Sequence, residues 1–253
     1  MKIVLPNIFK PKYETELVRI GKNNDGGYII PIKSLNHTKK LYSFGLSDDF
    51  SFEEDFYKKT NAEVSCYDSS VNFKFFLKPF LFGHFNNLFK YIGYSKFFNG
   101  KDKQHIKKNI VPLGTYVHNK LDNKNIIEDI SSLLKEDDTE NLFFKIDIEG
   151  SEYRILNQLI EHSSLMTGLA IEFHDFDLHI DKIKKFIEIF ELQIVHIHVN
   201  NWGYINSDFL PRALEITFSP SKFNTEIKEE KKYPIELDQP NNPQYEDLPI
   251  EFI

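Results

Sequence analysis

The chain carries a single cysteine, Cys66, in 253 residues. No disulfide can close within it, and such usage suits a reducing compartment. Positive charge is not in excess either. A net charge of −7 and a pI near 5.7 speak against a nucleic-acid partner, which would want a basic face. Long apolar runs are missing. The longest aromatic cluster, Phe73 to Phe85, is interrupted by Lys74, Lys78 and Pro79 and is too short to span a bilayer. Residues 1–10 contain Lys2, Pro6 and Lys10 and do not read as a signal peptide. The expectation is a soluble, cytoplasmic protein with no membrane span. The 41% apolar content argues against disorder and supplies a sizeable core for one large α/β domain or two small ones.

The chain is organised around residues 142–156. Leu142 to Ile148 is an apolar run of strand length, broken only by Lys145 and Asp147, which suits a strand buried on both faces of a parallel sheet. Gly150 ends the run. Ser151-Glu152 opens a helical pattern with Ile155, Leu156 and Leu159 at helix spacing. Asp147 and Glu149 share one face at the strand's end, where ligands of open α/β sheets sit. Two carboxylates there are either a site or a helix-start device, because Glu149 and Glu152 also favour a helix N-terminus. Spacing leaves both readings open.

Other elements follow from pattern. Leu17–Ile20 and Gly27–Ile30 flank Asn23-Asn24-Asp25-Gly26, a hairpin signal in which Asp-Gly supplies positive φ. A simple turn is the default reading. The alternative is a lid over a cofactor, with Arg19 and Asp25 offering charge. Residues 40–50 read as a strand turning at Gly45, with a helix from Ser51, and Ala62 to Tyr67 as a second strand ending at Asp68-Ser69-Ser70. The Gly-x-Gly-x-x-Gly dinucleotide fingerprint is absent. One glycine after the first strand and a carboxylate after the second, Asp68, fit S-adenosylmethionine better than NAD. Residues 71–108 read as a helical insertion, Asn109 to Gly114 as a third strand, and Leu121 to Lys135 as a helix. Leu169 to Phe176, Leu192 to Asn201 and Arg212 to Ser219 are further strands, with a helix from Asp181 to Phe190. Glu172 and His174 face one way, and His196, His198 and Asn200 share a face. Histidines at strand ends suggest acid–base work. A metal site built from Asp147, Glu172, His174 and His198 is the sharper alternative, but no His-x-x-x-His pair supports it. A merely satisfied histidine is the default for His196. The tail from Lys228 is proline-punctuated and expected to lie extended on the surface or against a neighbour.

By this point the residues resemble a family. Phe144-Lys-Ile-Asp-Ile-Glu-Gly-Ser-Glu152 is similar to the Lys-(Ile/Val)-Asp-(Ile/Val)-Glu-Gly-x-Glu motif of FkbM-type methyltransferases. Arg19-x-Gly-x-x-x-Asp-Gly-Gly-Tyr28, Tyr42 to Glu53, Ile171-Glu-Phe-His174, His198-Val-Asn-Asn-Trp202 and Leu237 to Pro243 resemble that group as well. The resemblance covers nearly the whole chain, most weakly 71–108. It implies one class I domain over 1–253, with an N-terminal hairpin or lid (1–40), the 71–108 insertion and the 228–253 tail. The implied fold is α/β and Rossmann-like, a seven-stranded, mostly parallel sheet in order 3-2-1-4-5-7-6 with helices on both faces.

S-adenosyl-L-methionine is the implied cofactor, with Gly45 against its methionine part, Asp68 on its ribose and Asp147 beside the transferring methyl. Ser47, Ser69, Asp25 and Gly26 join the implied cofactor set. The first-strand motif departs from the commoner Asp-x-Gly-Ala-Asn-x-Gly, so either Asp48 or Asp49 meets the cofactor's ammonium group. His174 is the expected base, oriented by Glu172 or Asp147. His198, Asn200, Asn201 and Glu149 are expected at the acceptor. A divalent metal is an open alternative rather than the expectation. Lys, Asn, Ile and Phe richness suggests an AT-rich bacterial genome. With the family, that points to a sugar hydroxyl of a surface-polysaccharide precursor, such as a nucleotide-linked sugar, methylated before export; a homo-oligomer stays open. The rivals are an N- or phospho-group methyltransferase, or a non-catalytic protein keeping the fold.

Overall fold

The computed structural model describes residues 2–47, 49–68, 89–92, 95, 106–109, 116–118, 125–127, 130–134, 140–228 and 231–253. Among the described residues seven strands form the main sheet: β1 (Lys40–Phe44), β2 (Glu63–Tyr67), β3 (Ile106–Asn109), β4 (Leu142–Ile146), β5 (Met166–Phe173), β6 (Gln193–Ile205) and β7 (Pro211–Ser219). Side by side they run 3-2-1-4-5-7-6. The first five pair in parallel, while β7 lies antiparallel to both β5 and β6.

The central strands are mostly apolar because both faces are covered; Lys40, Ser43, Lys145, Thr167 and Glu172 are the polar exceptions. Every residue of β1, β4 and β5 is buried. Alternation then sends neighbouring side chains into two separate cores. Phe143, Leu41 and Ala170 join the core that holds Phe52 and Phe56 of α2 (Ser51–Thr60) and Leu35 of α1 (Ile32–His37). Phe144, Tyr42 and Ile171 join the core that holds Leu156 and Leu159 of α3 (Leu156–Glu161) and Ile183 and Phe186 of α4 (Phe176–Ile189). Burying one such phenylalanine stabilises the fold by about 2–3 kcal/mol. Helix α2 stops at Asn61, which takes a left-handed φ of 53° and returns its N–H to the Tyr57 carbonyl, the usual way to satisfy a last-turn acceptor.

Several expectations shift. Helix α4 begins at Phe176, five residues before Asp181, because Phe176, Ile180 and Ile183 extend its apolar stripe onto the core. The third strand is Ile106–Asn109 rather than 109–114; residues 110–114 lie outside the described set. Within the helix expected over 121–135, Asn125–Ile127 is a strand paired antiparallel with Tyr116–His118, and among the described residues Ile130–Leu133 alone is helical. The β-branched pair Ile126-Ile127 suits a strand better than its spacing suggested. Most of the expected 71–108 insertion lies outside the described residues.

The hairpin pairs Leu17–Ile20 with Tyr28–Pro31. The tail lies only partly on the surface. Ile250–Phe252 pairs in parallel with Ile3–Leu5, and Asp238, Asn241 and Asn242 are buried. Its polar side chains find partners on β6 and β7, which is why an apparently polar segment packs inward. Among the described residues no helix is long and apolar enough to cross a membrane.

Candidate functional site

The turn after β1 and the end of β4 meet where the strand order reverses, the position at which open α/β sheets bind ligands. The Asp147 N–H donates to the Phe44 carbonyl (2.9 Å) and the Gly45 N–H to the Tyr67 carbonyl (3.0 Å), so the ladders run on into the loops. Gly45 adopts φ +83°, and a Cβ there would collide with the Asp147 carbonyl oxygen. That close approach, besides the positive φ, is what demands glycine. Asp68 secures the same turn: its Oδ2 accepts the N–H groups of Leu46 (2.8 Å) and Ser47 (2.9 Å).

A cleft of about 410 Å³ opens beside this junction, lined by Asp25, Ser47, Asp147, Glu149, Glu172, His174, Asn200, Trp202, Gly203, Arg212 and Ala213. Elements far apart in sequence contribute: the hairpin tip, the β1 turn, the ends of β4 and β5, and strands β6 and β7. Four of these residues carry carboxyl groups, against one imidazole and one guanidinium. Burial pushes the Asp25 and Glu172 carboxyls above their ordinary range, and the nearby Asp147 charge adds to both.

Beneath the cleft a buried network sets the geometry. The Tyr28 hydroxyl lies 3.1 Å from Asp147 Oδ2 and 3.4 Å from Glu172 Oε2. Burial first, then these two carboxylates, raises its pKa well above the usual phenol value, so it stays a donor. The Lys145 ammonium donates to the Gly45 carbonyl (2.5 Å) and sits 3.6 Å from Asp147 Oδ2. Burial opposes its charge, but Asp147, Glu53 and Glu172 together outweigh that and hold its pKa up. Glu53 of α2 in turn accepts a short hydrogen bond from Ser43 of β1. Asn200 donates to Glu172 Oε1 (2.8 Å) and accepts the Trp202 N–H (2.9 Å).

His174 follows β5 directly. Its Nδ1 lies 2.9 Å from Oε1 of the fully buried Glu152, and that oxygen also accepts the N–H groups of Ile148 (3.1 Å) and Gly150 (3.3 Å). The ring is thereby turned so that Nε2 faces Glu149 (3.4 Å), Glu172 (3.7 Å) and Asp147 (3.8 Å). Glu149 reaches this point from a residue with φ +53°, followed by Gly150 at +94°; the strand alternation has already ended. Burial works against charge on His174, but Glu152, Glu172 and Asp147 push its pKa up to about 10. Nε2 thus faces the cleft, at the position where the sequence reading expects a base.

Of the residues singled out in the sequence, Asp25, Ser47, Asp147, Glu149, Glu172, His174 and Asn200 are brought together around one cavity. Gly45, Gly26 and Asp68 lie behind or beside that lining. Asp48 and Ser69 fall outside the described residues. His198 is not at the cleft: its Nδ1 lies 3.2 Å from Glu215 and its Nε2 2.9 Å from Asp247. Asn201 likewise serves the tail, donating to the Asn242 carbonyl and accepting the Asn242 N–H. His196 pairs with Asp238 at 3.0 Å, a satisfied core histidine. Sequence reasoning missed Tyr28, Lys145, Trp202 and Arg212 as site residues, and Glu152 as the residue that orients His174. The first three sit inside stretches that carried the family resemblance. Nothing in the sequence singled out Arg212.

No family model matches the chain, and no curated protein does. Among solved structures, it is similar to the methyltransferase FkbM from Methylobacillus flagellatus, with 17% identity and TM-score 0.45 over 71% of this chain and 44% of that one. This chain thus spans less than half the length of that relative. It is also similar to the METTL16 methyltransferase domain, with 10% identity and TM-score 0.41 over 74% of this chain and 63% of that one. A third is a precorrin-6y C5,15-methyltransferase from Geobacter metallireducens, with 12% identity and TM-score 0.35 over 74% of this chain and 86% of that one. The functional reading below stands on the cleft.

Proposed function

We propose that the chain is an S-adenosylmethionine-dependent O-methyltransferase of the FkbM type. The acceptor in this reading is a sugar hydroxyl, carried on a nucleotide-linked precursor of a bacterial surface polysaccharide and methylated in the cytoplasm. One observation carries the reading: a cleft rich in carboxylates opens at the sheet's switch point, beside a glycine turn packed against the Asp147 backbone. A field of this sign suits a sulfonium cofactor, since carboxylates at close range favour a cation. Bound there, S-adenosylmethionine would supply a methyl group already activated toward nucleophiles.

The chain's own task is then alignment and water exclusion rather than strong activation. Asp147 and Asp25 would hold the cofactor side. Asp68 would keep the turn of Leu46 and Ser47 shaped for it, and Tyr28 would keep Asp147 and Glu172 in register. On the acceptor side Trp202, 60% exposed at the cleft, offers an aromatic face to the apolar side of a sugar ring. His174 and Asn200 offer donors to its hydroxyls. The carboxylate oxygens beside His174 Nε2 are the receivers for the proton the acceptor gives up, a contribution of roughly two to four orders of magnitude.

Calorimetry with S-adenosylmethionine tests the cofactor half, with stoichiometric binding expected and Asp147→Asn weakening it. A methyl-transfer assay over nucleotide sugars and amines tests the acceptor half. Absence of cofactor binding would sink the enzyme reading, and transfer to amines alone would sink the sugar assignment.

A further inference from the structure

We infer that Asp147, Glu149 and His174 form a binding site for one divalent first-row metal ion, of which Mn²⁺ is the probe. As part of a methyl-transfer centre this rests on the reading above; the binding itself rests on the donor set alone.

The three side chains each offer one ligand atom, and these atoms lie within 4.8 Å of one another. His174 Nε2 stands 3.4 Å from Glu149 Oε2 and 3.8 Å from Asp147 Oδ1. Such spacings are long for charge-assisted hydrogen bonds, which run at about 2.7–2.9 Å. They are close to the edges of a coordination shell: ligands at about 2.0–2.2 Å from an ion, spread by about 90–110°, stand roughly 2.8–3.6 Å apart.

A second observation is independent of the carboxylates that face Nε2. The other ring nitrogen is clamped at 2.9 Å by Glu152, which is fully buried and anchored by two backbone N–H groups. Metal-binding imidazoles almost always give their remaining N–H to such a carboxylate, which sets tautomer and ring orientation. Glu172, itself held by Asn200 and beside Tyr28, lies 3.7 Å from the same Nε2, a third oxygen and fourth donor close at hand. The outer side opens to the cleft through Glu149, whose side chain is 85% exposed. The site therefore has an entrance and leaves room for a substrate oxygen. A mixed set of one imidazole and hard carboxylate oxygens favours manganese-like ions over calcium, which takes oxygen ligands alone.

The test is Mn²⁺ titration of the full chain after chelator treatment, followed by electron paramagnetic resonance of the free ion. One bound ion per chain is expected. Glu149→Gln, an exposed position that does not threaten folding, should weaken binding at least tenfold. Glu152→Gln, which touches no ion, should weaken it by roughly 10–100-fold with an unchanged circular dichroism spectrum. Asp181→Asn, an exposed acid on α4, should leave it unaltered. Absence of a stoichiometric ion, or equal binding by the parent and Glu149→Gln, would overturn the inference. Calorimetry with S-adenosylmethionine on the chelated protein keeps the two ideas apart. Cofactor binding without Mn²⁺ binding removes the ion site alone; Mn²⁺ binding without cofactor binding removes the methyl-transfer reading alone.

Discussion

The hydroxyl of Tyr28, on the second strand of the N-terminal hairpin, lies 3.1 Å from Asp147 Oδ2 at the end of β4. The same oxygen is 3.4 Å from Glu172 Oε2 on β5. One O–H thus ties the hairpin to two neighbouring strands, and a hydrogen bond to a charged group contributes about 1.5–3 kcal/mol.

Replacing Tyr28 with Phe removes that donor and keeps the ring that packs edge-on against Phe52. Stability should fall by about 1.5–3 kcal/mol, and turnover should fall with it as Asp147 and Glu172 lose their shared donor. Unaltered turnover in a steady-state assay would show that the phenol does not align the two carboxyl groups.

Gly45→Ala should fail at the level of folding. The added methyl meets the Asp147 carbonyl, and φ +83° is unfavourable for alanine. Local strain of about 1–3 kcal/mol adds to the collision, so chemical denaturation should show a stability loss of at least that size. Full stability would mean that the β1 and β4 loops can separate without cost.

Asp247→Ala should release the tail. It removes the partner at 2.9 Å from His198 Nε2, leaving a buried imidazole (2% exposed) with Glu215 alone. Breaking a buried charged pair on one side costs about 3–5 kcal/mol; Asp247 is partly exposed, so the lower end applies. Limited proteolysis should then cut within residues 231–253 faster than in the parent chain.

Stability should vary with pH through the same clamp. Burial opposes charge on His198, but Asp247 and Glu215 raise its pKa from 6.5 to about 10 in the fold. The folded value exceeds the unfolded one, so this contribution is complete below pH 6.5 and fades as pH climbs through about 10. Asp238 runs the other way. His196 lowers its pKa against the effect of burial, so its contribution is present above its ordinary value of 3.8 and is lost as pH falls below it. Melting temperature should therefore decline from pH 6.5 toward 10, and Asp247→Asn should flatten that alkaline limb. An identical slope in both proteins would remove His198 from the account.

Much of the frame was legible in the residues. The apolar runs at 40–44, 63–67 and 142–146 appear as buried parallel strands because a strand covered on both faces tolerates little polarity. Asp147, Glu172 and His174 were singled out by position at strand ends, and the cleft gathers them. The helix expected over Leu121 to Lys135 failed in part because Ile126 and Ile127 fit either period, and pairing with Tyr116–His118 decided the matter. The tail misled for a related reason. Its prolines and asparagines look like exposed linker until Asp238, Asn241 and Asp247 meet His196, Glu215 and His198.

By itself the sequence determined the first, second and fourth strands and which carboxylates stand at their ends, since alternation and turn chemistry act over a few residues. Only tertiary structure decided that His174 is turned by Glu152, that His198 belongs to the tail, and that Tyr28 lies beneath the cleft. Those outcomes depend on which distant charges share a low-dielectric space, and packing of the whole sheet sets that.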